Sequence, residues 1–262
     1  MRPLPNSHYM KRINTLFIML ATLLLPCKLM AQVGEYRNTF SVGASGGYLL
    51  NTINFTPTVP QNMHGGMLIG LTGRYTTEKY FSTLCALQVE LNMAQVGWKQ
   101  DNSNIDGQQV INPETGAAEQ YERNITYLQI PFFAHLSWGK ETRGVNAFVN
   151  LGPQIGFMLS ESTTKNYDRP YTKENFPDNF TTSTGRVSQV EAQETMPVEN
   201  KLDFGIAFGA GIELHVNKVG RFDLEGRFYY GLGNIYGDSK RDFFGTSNHN
   251  TIYIKLGYLY DI

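Results

Sequence analysis

The chain has 262 residues, a formal net charge of -1 and 17% charged residues, a balance without the basic excess of a nucleic-acid binder. A mean hydropathy of -0.29 suggests a soluble protein, yet 15 Tyr, 16 Phe and 26 Gly make a heavy aromatic and glycine load. Strands with apolar residues on one face and polar ones on the other reconcile the two, because their average hides from any hydropathy window.

Lys11 and Arg12 precede an apolar run from Ile13 to Leu25, and Ala31 stands before Gln32. This is the layout of a secretory signal peptide over residues 1–31, although Leu29 is a poor residue at its cleavage site. A lipoprotein reading through Cys27 suffers from Pro26, where a small residue is wanted. No later stretch approaches the roughly 18 consecutive apolar residues of a spanning helix. Export then leaves residues 32–262 as one domain with Cys85 alone, and a single cysteine forms no internal disulfide.

Eight alternating runs follow, each with the period of a strand. In the first, Thr39 to Leu50, Phe40, Val42, Ala44 and Tyr48 oppose Ser41, Gly43, Ser45 and Gly47. The second, Gly66 to Thr77, sets Met67, Ile69, Leu71 and Tyr75 against Gly70, Thr72 and Arg74. The third, Tyr80 to Trp98, sets Phe81 through Met93 at odd positions against Gln88, Glu90 and Asn92. The fourth, Asn124 to Trp138, carries Leu128, Ile130, Phe132 and Trp138 opposite Tyr127, Gln129 and His135. Val145 to Ser160, Lys201 to Val216 and Arg221 to Leu232 repeat the pattern, and Thr251 to Ile262 makes the eighth.

The connections between runs alternate in length. Glu78–Lys79, Gly139–Gly144 and Asn217–Gly220 are short, whereas Asn51–Gly65, Lys99–Arg123, Glu161–Asn200 and Gly233–Asn250 are long. Short periplasmic turns and long extracellular loops give this rhythm in an all-β, eight-stranded antiparallel up-and-down transmembrane barrel of the bacterial outer membrane, with both termini periplasmic. The apolar face carries no charge in any run. The other face holds Arg74, Glu90, Asp203, Glu213, Arg221, Asp223, Glu225, Arg227 and Lys255, more ionisable groups than a soluble barrel core tolerates. The apolar face therefore meets lipid, and the nine charges form an interior network, read as structural salt bridges with a proton or ion path as the alternative. Tyr75, Phe81, Trp138 and Tyr260 fall on the lipid face near the periplasmic end, as an interfacial girdle. Pro131 removes a ladder donor in mid-run, and a bulge is expected there.

The closing run matches the C-terminal signal by which such barrels reach their assembly machinery, through Lys255, Gly257, Tyr260 and Ile262. An exposed apolar edge aggregates, so this strand is expected to close on the first.

Chemistry is sparse. Eight strands enclose an interior that side chains fill, which argues against a diffusion pore. His135 and His215 are placed near the periplasmic end, His64 in the first outer loop, and His249 at the start of the last strand near Ser247. No spacing ties a Ser, a His and a carboxylate together as a lipid-modifying enzyme of the outer rim would need, and no metal-ligand spacing or cofactor motif is present. The Glu161–Asn200 loop carries seven acidic residues (161, 168, 174, 178, 191, 194, 199) against four basic (165, 169, 173, 186). Its Tyr167, Tyr171, Phe176 and Phe180 are a candidate contact patch for a protein partner. The other expected partners are outer-membrane lipid and the assembly machinery.

GGYLLNTINFTP, LQVELNMAQVGW, ITYLQIPFF, VNLGPQIGFML and FGIAFGAGIELH together resemble the PorT-like outer-membrane β-barrel proteins of the Bacteroidota, over essentially Gln32 to Ile262. The resemblance implies a small barrel, similar in size to the OmpA type, behind a signal peptide, with no catalytic motif. The family's namesake belongs to the type IX secretion and gliding apparatus. Three functions follow as expectations: a non-enzymatic structural or surface-interaction protein, a membrane subunit of such an apparatus, or a lipid-modifying enzyme.

Overall fold

The structure is a computed structural model that describes residues 34–103, 107–140, 143–167, 193–194, 196–237 and 244–262. The expected signal peptide, residues 1–31, lies outside the described residues. The strands are β1 (Glu35–Thr56), the two-residue β2 (Gln61–Asn62), β3 (His64–Tyr80), β4 (Thr83–Gln100), β5 (Tyr121–Trp138), β6 (Gly144–Lys165), β7 (Leu202–Val216), β8 (Gly220–Gly231) and β9 (Thr246–Asp261).

Every long strand is antiparallel to both neighbours in the order β4-β3-β1-β9-β8-β7-β6-β5, and β4 pairs with β5 to close the ring. The short β2 adds only Gln61 and Asn62 beside Gln100 and Lys99 of β4. The architecture is therefore the expected all-β ring of eight strands. β1 meets β9 along sixteen residue pairs, from Ser41–Asp261 to Thr56–Thr246. Closure needs close backbone approach at this seam: a Cβ on Gly43 would stand 1.9 Å from the Tyr258 carbonyl oxygen.

Burial follows the sequence alternation. Leu71, Leu87, Ile254 and Leu256 are 60–65% exposed on the outer wall, while Arg74, Glu90, Glu225 and Arg227 inside are at most 2% exposed. A wall this apolar is stable against hydrocarbon and a liability in water. The girdle residues Tyr75, Phe81, Trp138 and Tyr260 all lie exposed near the turn end.

Three sequence expectations need correction. The first concerns the β3–β4 turn, which is Phe81–Ser82 and not Glu78–Lys79: Tyr80 pairs with Thr83, and Phe81 has φ 53°. A register shift between Thr76 and Glu78 breaks the alternation there, so the broken pattern imitates a turn while the strand runs on.

The second concerns Pro131, which carries no bulge. Pairing with β4 lapses at Ile130 and Pro131 and resumes in the same register, from Val89–Phe132 to Asn92–Gln129. The irregularity of β5 lies instead between Thr126 and Tyr127, against β6.

The third concerns strand length on the loop side, where the sequence fell short. β1 and β6 each run 22 residues, about twice the roughly 9–11 a bilayer requires. Outward positions beyond the apolar belt turn polar, as at Asn54, Gln95, Asn124 and Glu122, so the sheet extends beyond the membrane on this side. His64 accordingly opens β3 and His249 sits inside β9, both residues buried.

Candidate functional site

Three levels of inward side chains follow one another from the turn end to the loop end. At the first, Glu213 of β7 and Asp223 of β8 stand directly opposite each other, a repulsive pairing of like charges on neighbouring strands. Arg74, projecting from β3 on the far side of the ring, bridges both, donating from Nη1 to Glu213 Oε2 and from Nη2 to Asp223 Oδ2, the latter at 2.8 Å. Its Nε donates to Gln88 Oε1 at 2.8 Å, so the guanidinium is held on both edges. Arg221 lies 3.6 Å from Glu213 and 3.0 Å from Asp261, whose Oδ1 accepts from Ser41 Oγ at 2.6 Å.

The second level holds Glu90, Glu225, Arg227 and Lys255. Arg227 of β8 reaches across the lumen to Glu90 of β4 with bonds of 2.9 and 2.8 Å, and it bonds Glu225 at 3.0 and 2.9 Å. Lys255 donates to the same Glu90 at 2.6 Å and lies 3.6 Å from Glu225. Gln88 and Asn92 donate to Glu90 at 2.7 and 2.8 Å, and Asn150 donates to Glu225 at 3.0 Å. Phe133 lies under the Arg227 guanidinium, 4.5 Å from its ring centre. Two cations face two carboxylates here, and the polar neighbours satisfy the remaining oxygens. Such satisfaction is the condition under which buried charge is tolerable.

The third level is aromatic and closes the loop end. Phe55, Trp98, Tyr121, Tyr236 and Phe244 are at most 3% exposed. Phe55 packs edge-on to Trp98 at 5.5 Å, and Tyr236 stacks on Phe244 at 5.4 Å. Residues of the longest outer connection fasten this cap. Gln193, fully buried, accepts the Trp98 indole N–H at 2.6 Å and donates to Gln100 at 2.7 Å. Its carbonyl accepts the hydroxyls of Tyr121 and Tyr236 at 3.3 and 3.2 Å. Arg123 donates to the Met196 carbonyl at 2.7 Å and to the Tyr236 hydroxyl at 2.9 Å, with its guanidinium 5.2 Å from the Trp98 ring centre.

Of the nine inward charges expected from sequence, eight gather in the two ionic levels, and Asp203 stands apart, bonded to the Tyr229 hydroxyl at 2.8 Å. The closing pattern divides by face: Lys255 and Gly257 are inward, whereas Tyr260 and Ile262 point outward at 53% and 75% exposure. Of the loop patch, Tyr171, Phe176 and Phe180 lie outside the described residues. Tyr167 bonds Glu194 at 2.6 Å and has the Lys165 ammonium 4.4 Å from its ring centre.

The histidines are separate from one another. His64 contacts Asn124 at 2.5 Å and Glu122 at 3.1 Å, His135 contacts Asn150 at 2.7 Å, and His249 contacts Asn51 at 3.4 Å. His215 is half-buried at the end of β7. Ser247 Oγ accepts the Tyr236 backbone N–H at 3.2 Å. Among the described residues no group of three or more His, Cys, Asp or Glu is placed to hold a metal ion.

The aromatic cap is the part that sequence reasoning missed. Trp98 and Phe55 had a usable signal, since both share the parity of the inward residues of their strands. Tyr236, Phe244 and Gln193 belong to connections and had none.

Several small outer-membrane proteins of known structure are similar. The Neisserial surface protein NspA is 11% identical, with 84% of this chain and 95% of that one covered at a TM-score of 0.39. OprG of Pseudomonas aeruginosa is 12% identical, with 87% and 98% covered and a TM-score of 0.41. Ail, the attachment invasion locus protein of Yersinia pestis, solved with the heparin analogue sucrose octasulfate, is 12% identical, with 86% and 100% covered and a TM-score of 0.37. No curated protein matches the sequence. Residues 30–237, most of the chain, match the family described as the outer membrane protein beta-barrel domain, and to this family the chain belongs.

Proposed function

We propose that this outer-membrane barrel is a non-enzymatic protein with a structural or surface-interaction role, exercised by its loop end. The observation that carries this reading is the filled interior: two ionic levels with side chains meeting across the lumen, under an aromatic cap pinned by Gln193. A barrel so filled offers no aqueous path, and its adaptable surface is the set of outer connections. The ion pairs act as a structural network, and both termini face the periplasm, where the short turns lie.

The partner is a protein bound through the 161–200 connection, whose acidic excess disfavours polyanions. Two measurements test this. Planar-bilayer recordings of the refolded protein are expected to show no conductance; ion-selective current lost in Arg227→Ala would replace the structural network with an ion path. Affinity purification from native membranes is expected to recover a protein that is lost when residues 165–182 are deleted from a correctly assembled barrel. Retention of every partner by that deletion removes the loop from the proposal.

The finer assignment, a PorT-like protein of the Bacteroidota serving a type IX secretion or gliding apparatus, is supported by the motif resemblance in β1 and β4 through β7. It expects a stoichiometric secretion component in the same purification.

A further inference from the structure

At the loop end β6 outruns β7. Its pairing with β7 stops at Phe157–Leu202, where the Met158 N–H still donates to the Lys201 carbonyl at 2.8 Å, whereas its pairing with β5 continues to Lys165–Tyr121. Just beyond, the Asn166 N–H donates to the Gln120 carbonyl at 3.3 Å. Bonding alternates along an antiparallel ladder, so Ser160, Ser162 and Thr164 turn their backbone groups to β5 in the same register. Glu161 and Thr163 therefore turn theirs the other way. Among the described residues no strand meets them there.

Two other overhangs at this end are covered. Beyond β3, the N–H and the C=O of Ile53 in β1 both bond the side-chain amide of Gln61. Beyond β8, the Ser247 carbonyl of β9 accepts the Ile235 N–H at 3.0 Å, and the Ser247 N–H donates to Asn234 Oδ1 at 2.8 Å. β6 shows no such cover among the described residues, and Ser160, Ser162, Thr163 and Thr164 are all exposed. An open edge is commonly guarded by charge or by proline. Here the Glu161 carboxylate lies 3.2 Å from the buried Arg123 Nε, Lys165 bonds Glu194 at 2.7 Å, and residues 154–165 contain no proline. The edge is left unguarded.

We propose that the β6 edge at Glu161 and Thr163 takes up an extended peptide segment of a partner protein as an added antiparallel strand. This rests on the reading of the loop end as the interaction surface, and it names the chemistry of recognition. The N–H and C=O of both residues supply main-chain bonds, which hold any extended peptide, and the neighbouring side chains supply selectivity. Ser160, Ser162 and Thr164 form an exposed hydroxyl row on one face, which favours Ser, Thr or other β-branched residues at alternate positions of the peptide. Leu159, 55% exposed at the membrane end of that row, favours an aliphatic residue toward the C-terminal end of an antiparallel partner. A second copy in the same membrane holds its own β6 in the same direction, so the two edges meet only in parallel, the weaker pairing. A peptide outside the membrane is free to run antiparallel.

The test selects peptides about nine residues long from a random phage-displayed library against the refolded full-length barrel in nanodiscs. Peptides with alternating Ser, Thr or Val are expected to be enriched. Thr163→Pro removes one outward N–H and leaves the β5 ladder intact, and it is expected to weaken the enriched peptides by about tenfold or more. Because that variant can fail to assemble, hydrogen exchange of the wild type, followed by nuclear magnetic resonance, is the second arm. The Glu161 and Thr163 amides are expected to exchange fast alone and about tenfold more slowly with a saturating selected peptide. Unchanged exchange with peptide bound, binding indifferent to Thr163→Pro in a folded barrel, or no enrichment overturns the proposal. Amides already protected without peptide, as pairing between two copies would make them, also overturn it. A native-membrane partner that is lost on deletion of residues 165–182 but kept by Thr163→Pro overturns strand addition alone and leaves the surface-interaction role standing.

Discussion

Replacing Arg227 with Met tests the interior network at its most connected point. The guanidinium makes four hydrogen bonds, two to Glu90 and two to Glu225, and the residue is 2% exposed. Methionine keeps much of the length that covers Phe133 but leaves two buried carboxylates to one cation, Lys255, at 2.6 and 3.6 Å. Removing one partner of a buried ion pair costs about 3–5 kcal/mol. Lys255 still serves both acids, and Gln88, Asn92 and Asn150 still donate to them, so the lower end, about 3 kcal/mol, is expected. A second substitution, Glu90→Gln, returns the level to one cation and one carboxylate. The double variant is therefore expected to recover to within about 1 kcal/mol of the wild type, a coupling of the size seen within shared networks. Urea titration of the barrel in phospholipid vesicles, followed by far-ultraviolet circular dichroism and by gel mobility before and after heating, measures both values. A single variant as stable as the wild type, or a double variant no better than the single, would refute the view that charge balance holds this level together.

Gly43→Ala brings a Cβ to 1.9 Å from the Tyr258 carbonyl at the β1–β9 seam, and loss of the heat-modifiable folded band is expected, whereas Gly73→Ala on the lipid face, with its nearest neighbour at 3.9 Å, assembles normally. Trp98→Ala removes the Gln193 bond and the Phe55 contact, and a loss of about 3–5 kcal/mol is expected in the cap, read as faster hydrogen exchange there with the lower strands unchanged. Burial pushes the Tyr121 phenol up to about 12 from its ordinary 10.0. A raised folded-state value means that this contribution to cap stability is fully present below pH 10 and is lost as the pH rises through about 12. Tyrosinate absorbance is expected to lose one late-titrating component in Tyr121→Phe.

The ring, its strand count and the sorting of residues between lipid and lumen were all legible, because a two-residue period writes the face of every residue into the sequence. That legibility failed where the period broke. The shift at Thr76–Glu78 moved the apparent turn by three residues, and at Pro131 the ladder opened locally without the extra residue a bulge would have supplied. Nine inward charges could be named, but not their partners: Arg74 and Glu213 are 139 positions apart and meet only because β3 and β7 stand across the ring from one another. The cap was the least legible part, since Gln193 and Tyr236 take their places through contacts between connections that have no period at all.

The chain's two tryptophans, Trp98 and Trp138, stand in opposite surroundings. Trp98 is sealed in the cap, with its indole N–H held by Gln193, and Trp138 is 39% exposed at the turn end of the lipid face. Two stages of assembly therefore carry separate intrinsic fluorophores. With Trp98 changed to Phe, emission follows the entry of the wall into hydrocarbon; with Trp138 changed to Phe, it follows the docking of Gln193 onto the finished ring. The delay between the two signals measures directly whether this barrel inserts open and is then lidded, or crosses the bilayer with its cap already formed.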